Sequence, residues 1–168
     1  MYLLGGIDNS TTCMNDVWSS NDGITRTQIT DNATCPMRYG HAATVFNKKI
    51  WVMGGDNGTT LNDVWYSSDD NASSWTQAST TGTMWSARSG HTVSVFDGKL
   101  WVAGGNGGSG TLNSWSSSDG SAWTKVAVKD NETSRSGMEC GVMGNRLYLI
   151  GGYVDNNTYK DDVLKYGP

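Results

Sequence analysis

The stretch RSGHTVSVFDGKLWVAGG, Arg88 to Gly105, recurs in near copy as RYGHAATVFNKKIWVMGG, Arg38 to Gly55, and more loosely as RSGMECGVMGNRLYLIGG, Arg135 to Gly152. The chain also begins on the last words of the same sentence, YLLGG, Tyr2 to Gly6. Aligned on the double glycines Gly5-Gly6, Gly54-Gly55, Gly104-Gly105 and Gly151-Gly152, the repeats are 49, 50 and 47 residues long. A period near 50 marks an array or propeller of one supersecondary unit.

Within one period four short segments stand out: GHTVSVF, KLWVAGG, LNSWSSS and SAWTKVAV. Each alternates apolar and polar residues or is a short β-rich run, so each reads as a strand. Between the first two strands stand Asn47-Lys48, Asp97-Gly98 and Gly144-Asn145. Such dipeptides take the positive φ angles that two-residue hairpin turns need. NDG, DDNAS and SDGSA, between the third and fourth strands, carry the same turn chemistry. The unit is a four-stranded antiparallel sheet. Residues 1–30 hold it without its first strand, 38–79 and 88–128 hold it complete, and 135–166 hold it without its fourth. The end units expose apolar sheet faces, which calls for cover from a larger ring, a cramped closure or further copies.

Arg-x-Gly-His, the Gly-Gly after the second strand, Asn-Asp-Val-Trp on the third and Trp-Thr on the fourth resemble kelch repeats over essentially the whole chain. The resemblance implies an all-β fold, a β-propeller of four-stranded antiparallel kelch-type blades around a central channel, with about 3.5 blades here. The segment SSDGSAW, Ser117 to Trp123, also resembles the Asp-box of sialidase propellers, one residue short.

Composition agrees with short strands and tight turns: 22 Gly and 8 Trp among 168 residues, with only 17% charged. The net charge of -4, with no Lys/Arg-rich run, excludes the electrostatic attraction that nucleic acid or anionic lipid requires. No apolar run is long enough to span a membrane. Six Asn-x-Ser/Thr sequons, at Asn9, Asn32, Asn57, Asn71, Asn131 and Asn156, fall in loop-like stretches and point to a secreted glycoprotein. Cys13 and Cys35 sit in loops that four alternating strands bring to one face, so a disulfide between them is expected, worth about 3 kcal/mol by chain entropy. It would place the protein in an oxidising compartment.

What recurs in every unit reads as scaffold, because a binding site is usually unique. Arg38, Arg88 and Arg135 share one position, and so do His41 and His91, with Met138 in the last repeat. The arginines are expected to bond neighbouring loops and the histidines to be buried and hydrogen-bonded. Asp16, Asp63 and Asp162 precede the third-strand apolar residue, with Ser114 read at that place in the second full unit, and their short acceptors are expected to hold the loop after the double glycine. Trp51 and Trp101, like Trp18, Trp65 and Trp115, read as packing between sheets. Glu139, the one carboxylate on a first strand, faces water, and Cys140 is a small buried thiol.

The loops after the double glycines, IDNSTTCM, DNGTTL, NGGSGT and YVDNNTYK, differ most and make a polar recognition surface on a rigid frame. Its candidate binding residues are Asp8, Asp56, Asn57, Asn106, Asp155 and Asn156. The expected function is a non-catalytic extracellular interaction or structural module, without cofactor or metal. It would bind protein or glycan through these loops or assemble with itself through its end units. The alternative drawn from the resemblance is a glycan-active enzyme on a propeller, a sialidase-like hydrolase or a relative of the copper oxidases. Arg38, Arg88, Arg135 and Glu139 are its only candidates.

Overall fold

The computed structural model of the protein describes residues 1–106, 112–126, 133–155 and 158–167. All regular structure in them is β. The first sheet is β1 (Tyr2–Ile7), β2 (Cys13–Ser19) and β3 (Thr27–Thr30), in that order. The second is β4 (Ala42–Phe46), β5 (Lys49–Asp56), β6 (Thr60–Ser67) and β7 (Trp75–Gln77); the third is β8 (Thr92–Phe96), β9 (Lys99–Ala103), β10 (Ser114–Ser117) and β11 (Thr124–Val126). The last combines β12 (Glu139–Met143), β13 (Arg146–Ile150) and β16 (Val163–Tyr166), with a separate hairpin of β14 (Tyr153–Asp155) and β15 (Thr158–Tyr159). Every pairing is antiparallel between sequence neighbours, the β13 to β16 step apart, which spans that hairpin. These are propeller blades, two complete and two three-stranded. The first strands β4, β8 and β12 lie side by side.

Local sequence accounts for the hairpins. Asn47 and Lys48 both have positive φ, as do Asp97 and Gly98, which turns β4 into β5 and β8 into β9 with the twist the strands need. The third and fourth strands are joined by a recurring turn. Asp22 Oδ1 accepts from the N–H groups of Ile24 and Thr25 while Ser20 Oγ accepts from Gly23 N–H. Asp119 and Ser117 repeat the arrangement with Ser121, Ala122 and Gly120. Trp123 then donates its indole N–H to Gly120 O, as Trp75 does to Ala72 O. The Asp-box likeness seen at Ser117 is therefore a turn shared by the first and third blades.

The double glycine is explained by what crosses it. Gly54 and Gly55 form a bulge between β5 and β6, with φ of 56° and 101°. Gly55 N–H donates to Arg88 O of the next blade, just as Gly6 donates to Arg38 O and Gly105 to Arg135 O. The neighbour's Arg-x-Gly-His segment passes so close that a Cβ on Gly54 would stand 2.8 Å from both Arg88 O and His91 Cε1. A second ladder runs blade to blade at the next glycine, from Gly137 N to Gly90 O and from Gly90 N to Gly40 O, at 2.9 and 2.8 Å. Beyond the bulge each hairpin carries its loop outward; in the last blade this distal part is the separate β14–β15 pair, cut off by Gly151 and Gly152.

Aromatic side chains fill the space between blades. Trp51, Trp85, Trp115 and Trp123 join Phe46, Met53, Val64, Leu100 and Val102 in the largest buried cluster. Trp51 lies over Gly120 of the next blade's turn so tightly that a Cβ there would approach the ring to 2.2 Å.

Gly54→Ala is expected to destabilise the fold by about 2–4 kcal/mol, combining backbone strain with a clash against the next blade. Gly58→Ala is the control, with a positive φ of 104° but nothing within 4 Å, and should lose only about 1 kcal/mol. Urea unfolding of the two variants checks the difference.

Candidate interaction surface

Each arginine of the repeated motif is buried and spans its own blade. Arg38 donates to Gly54 O at 2.8 Å and forks onto Asp63 of β6 with bonds of 2.6 and 2.8 Å. Asp63 also accepts the indole N–H of Trp65. Burial opposes the charge on Asp63, but the Arg38 bonds and charge prevail and hold the carboxyl below its ordinary range. Arg135 repeats the arrangement with Gly151 O and Asp162. Asp63 and Asp162 thus fasten the arginine rather than the loop after the double glycine, while Asp16 accepts the indole N–H of Trp18. None of the three guanidiniums opens to solvent, so they do not form a carboxylate-binding cluster at the channel mouth.

The third blade departs from this. Ser114 pairs with Ala103 where Val64 pairs with Met53, so the aspartate's place belongs to Asn113, not to Ser114 as the sequence reading had it. Arg88 bonds Ser86 O, Gly104 O and Ser86 Oγ, and no carboxylate among the described residues touches it.

The histidines lie in the seams between blades. His91 is buried against the Trp85 ring, with centroids 5.9 Å apart, and neither of its ring nitrogens finds a partner of good hydrogen-bond geometry. His41 is half-buried and its Nδ1 is unpartnered. The expected hydrogen-bonded state is therefore corrected: each ring also lies against backbone of the preceding blade, His41 at Leu4 and His91 at Met53, so packing together with a backbone contact of poor geometry holds these rings. Burial pushes both below the ordinary value of 6.5, to about 4 for His41 and about 3 for His91, with the neighbouring arginine adding to each.

Both sequence-predicted thiols of the disulfide are free. Cys13 directs its Sγ to Asp56 O of the second blade, 3.9 Å away, whereas Cys35 is packed with Val17, Ala33, Val52, Ala72 and Trp75. Sharing a face does not bring them together, because Cys13 turns to the backbone of Asp56 while Cys35 is buried deeper between the first two blades. Burial pushes the Cys35 thiol up to about 11. Cys35 stands three residues before Arg38, where Trp85 stands before Arg88. The smaller side chain leaves a cavity of about 20 Å³ beside Arg38 and His41, room for one water. Cys140 is half-buried, accepting from Thr92 Oγ1 at 2.9 Å, and Glu139 is exposed.

The loops after the double glycines share one rim of the propeller. Asp8 is exposed and caps its loop by accepting from Ser10 and Thr12 N–H. Asp56 accepts from Gly58 N–H and exchanges backbone bonds with Tyr39, while Asn57 beside it is exposed. Asn106 exchanges backbone bonds with Ser89 and accepts from Ser136 Oγ of the next blade at 2.6 Å. Asp155 lies on β14 opposite Thr158, and Asn156 lies outside the described residues. The same rim carries exposed Tyr39, Tyr153 and Tyr159, the last two with ring centroids 6.4 Å apart. The sequence reading missed these tyrosines. The signal for Tyr39 was the variable residue inside Arg-x-Gly, serine in the other blades, and that for Tyr153 and Tyr159 was their place in the varied loop YVDNNTYK.

The sequence profile of the KLHDC2/KLHL20/DRC7 Kelch-repeats domain matches residues 1–168. The chain belongs to the kelch-repeat family. No curated protein gives a significant match to it. Kelch-repeat domains are generally protein-interaction modules, and this kelch domain presents its most varied residues on the loop rim. Among its described residues no helix is long and apolar enough to cross a membrane, and no group of three His, Cys, Asp or Glu side chains is placed to hold a metal.

Because the folded histidines resist protonation that the unfolded chain accepts, their contribution to stability is complete above pH 6.5 and is lost as pH falls toward 4. Unfolding midpoints should drop across that interval. His91→Met, which copies the last repeat's Met138, should flatten the drop; equal slopes for the variant and the native chain would remove His91 as its source.

Proposed function

We propose that this kelch domain is an extracellular interaction module that grips a protein partner through the loop rim. The observation that carries the reading is the contrast between a frame whose glycine crossings recur from blade to blade and a rim whose loops differ in every blade. Exposed tyrosines on that rim offer large, stiff contact area, and the surrounding Asp and Asn side chains offer adaptable hydrogen bonds. The secreted setting rests on the sequons: Asn9, Asn32, Asn57 and Asn71 are exposed, while Asn131 and Asn156 lie outside the described residues. A glycan partner stacked on Tyr153 and Tyr159 is the finer variant of the same reading.

Assembly is a second reading, favoured by the apolar residues left open on the end blades. Tyr2, Leu3 and Ile7 are exposed on the first, and Val142, Met143, Ile150 and Val163 on the last. Such surface suits contact with further blades, of another copy or another segment.

The rim is tested by pull-down from secreted proteins with the native chain and with a Tyr39→Ala, Tyr153→Ala, Tyr159→Ala triple variant. A partner retained by the first and lost at least about tenfold by the second supports the rim, since exposed aromatic anchors dominate interfaces. Equal recovery places recognition elsewhere. Expression through a secretory pathway should add mass that a glycosidase removes; an unmodified chain would undo the sequon argument. Light scattering decides the assembly reading, which requires a species heavier than 18.1 kDa.

A further inference from the structure

The arginine socket of the third blade is short of one negative charge. Arg38 and Arg135 are closed by Asp63 and Asp162, whereas the matching position opposite Arg88 is the neutral Asn113. Arg88 is 1% exposed and keeps only the bonds its counterparts also make to the backbone, plus a contact to Ser86 Oγ at 3.3 Å. Each terminal nitrogen of Arg88 thus has one acceptor, Gly104 O for Nη1 and Ser86 Oγ for Nη2, and keeps a second N–H with none, where Arg38 is closed by Asp63. The Asn113 carbonyl oxygen is buried and likewise has no partner. The guanidinium rests over the Trp85 ring, 5.7 Å from its centroid, which compensates the charge only in part. Burial, unopposed by any carboxylate, lowers Arg88 to about 10.

A buried charge with no counter-charge destabilises a fold strongly, and solvent ions are the available remedy. We propose that the Arg88 socket binds a small monovalent anion of the chloride class, held by the free N–H groups of Arg88 and by the Asn113 amide turned to present its N–H groups. The amide can do so because its two ends are nearly isosteric. Arg88 and Asn113 are both buried, so the ligand has to be small, a halide rather than a bulky organic anion.

The test compares thermal unfolding of the intact chain in chloride and in gluconate at equal ionic strength. Raising chloride to about 200 mM should lift the midpoint by about 3 °C or more over gluconate. Asn113→Asp, which supplies the missing carboxylate, should raise the midpoint in gluconate and abolish the chloride effect. Identical midpoints in the two salts for the native chain would overturn the proposal, as would a chloride effect undiminished in Asn113→Asp. Should that variant fail to fold, crystals of the native chain grown in bromide decide the matter. An anomalous peak within hydrogen-bond distance of the Arg88 guanidinium supports the site, and its absence there overturns it.

Discussion

The structure depends on one close crossing, the passage of each blade's Arg-x-Gly segment, with the His or Met that follows it, over the double glycine of the blade before it. Gly55 N–H meets Arg88 O at that point, and a methyl group on Gly54 would collide with both Arg88 O and His91. No side chain can be accommodated there, so the two backbones bond directly and the angle between neighbouring blades is set. The same few residues therefore close the bulge, orient the arginine and define the seam in which the histidine is packed.

From that crossing follows a division between parts that repeat and parts that are free to vary. The arginine bonds the first glycine's carbonyl and, through its fork, an aspartate on the third strand, locking three strands of one blade. The loop just beyond is fastened at its base by backbone bonds such as Tyr39 with Asp56 and Ser89 with Asn106. A surface for recognition can change there without disturbing the core, which suits a kelch domain as an interaction module.

The seams are alike in plan but not in chemistry. Between the first and second blades Cys35 leaves a small void where Trp85 fills the next seam. At the third the histidine gives way to Met138, which packs with Ala103, Leu112 and Leu149. The second-to-third seam concentrates the awkward groups: buried His91, uncompensated Arg88 and an unpartnered Trp85 indole. Tryptophan packing at that seam offsets polar groups left without partners.

The sequence by itself determined the all-β blades, their number of strands and the hairpin turns, because period, alternation and turn residues are local properties written in order along the chain. Asn47-Lys48 and Gly54-Gly55 announce their backbone angles whatever surrounds them. It also marked the loop rim, since variation against a repeat is visible without coordinates. Only the tertiary structure decided which side chains meet. Register moved the aspartate's place to Asn113, depth parted Cys13 from Cys35, and the rim gained Tyr39, Tyr153 and Tyr159 because exposure depends on neighbours far away in sequence. Contacts across a seam join residues about 50 positions apart, and no spacing rule within one blade encodes them.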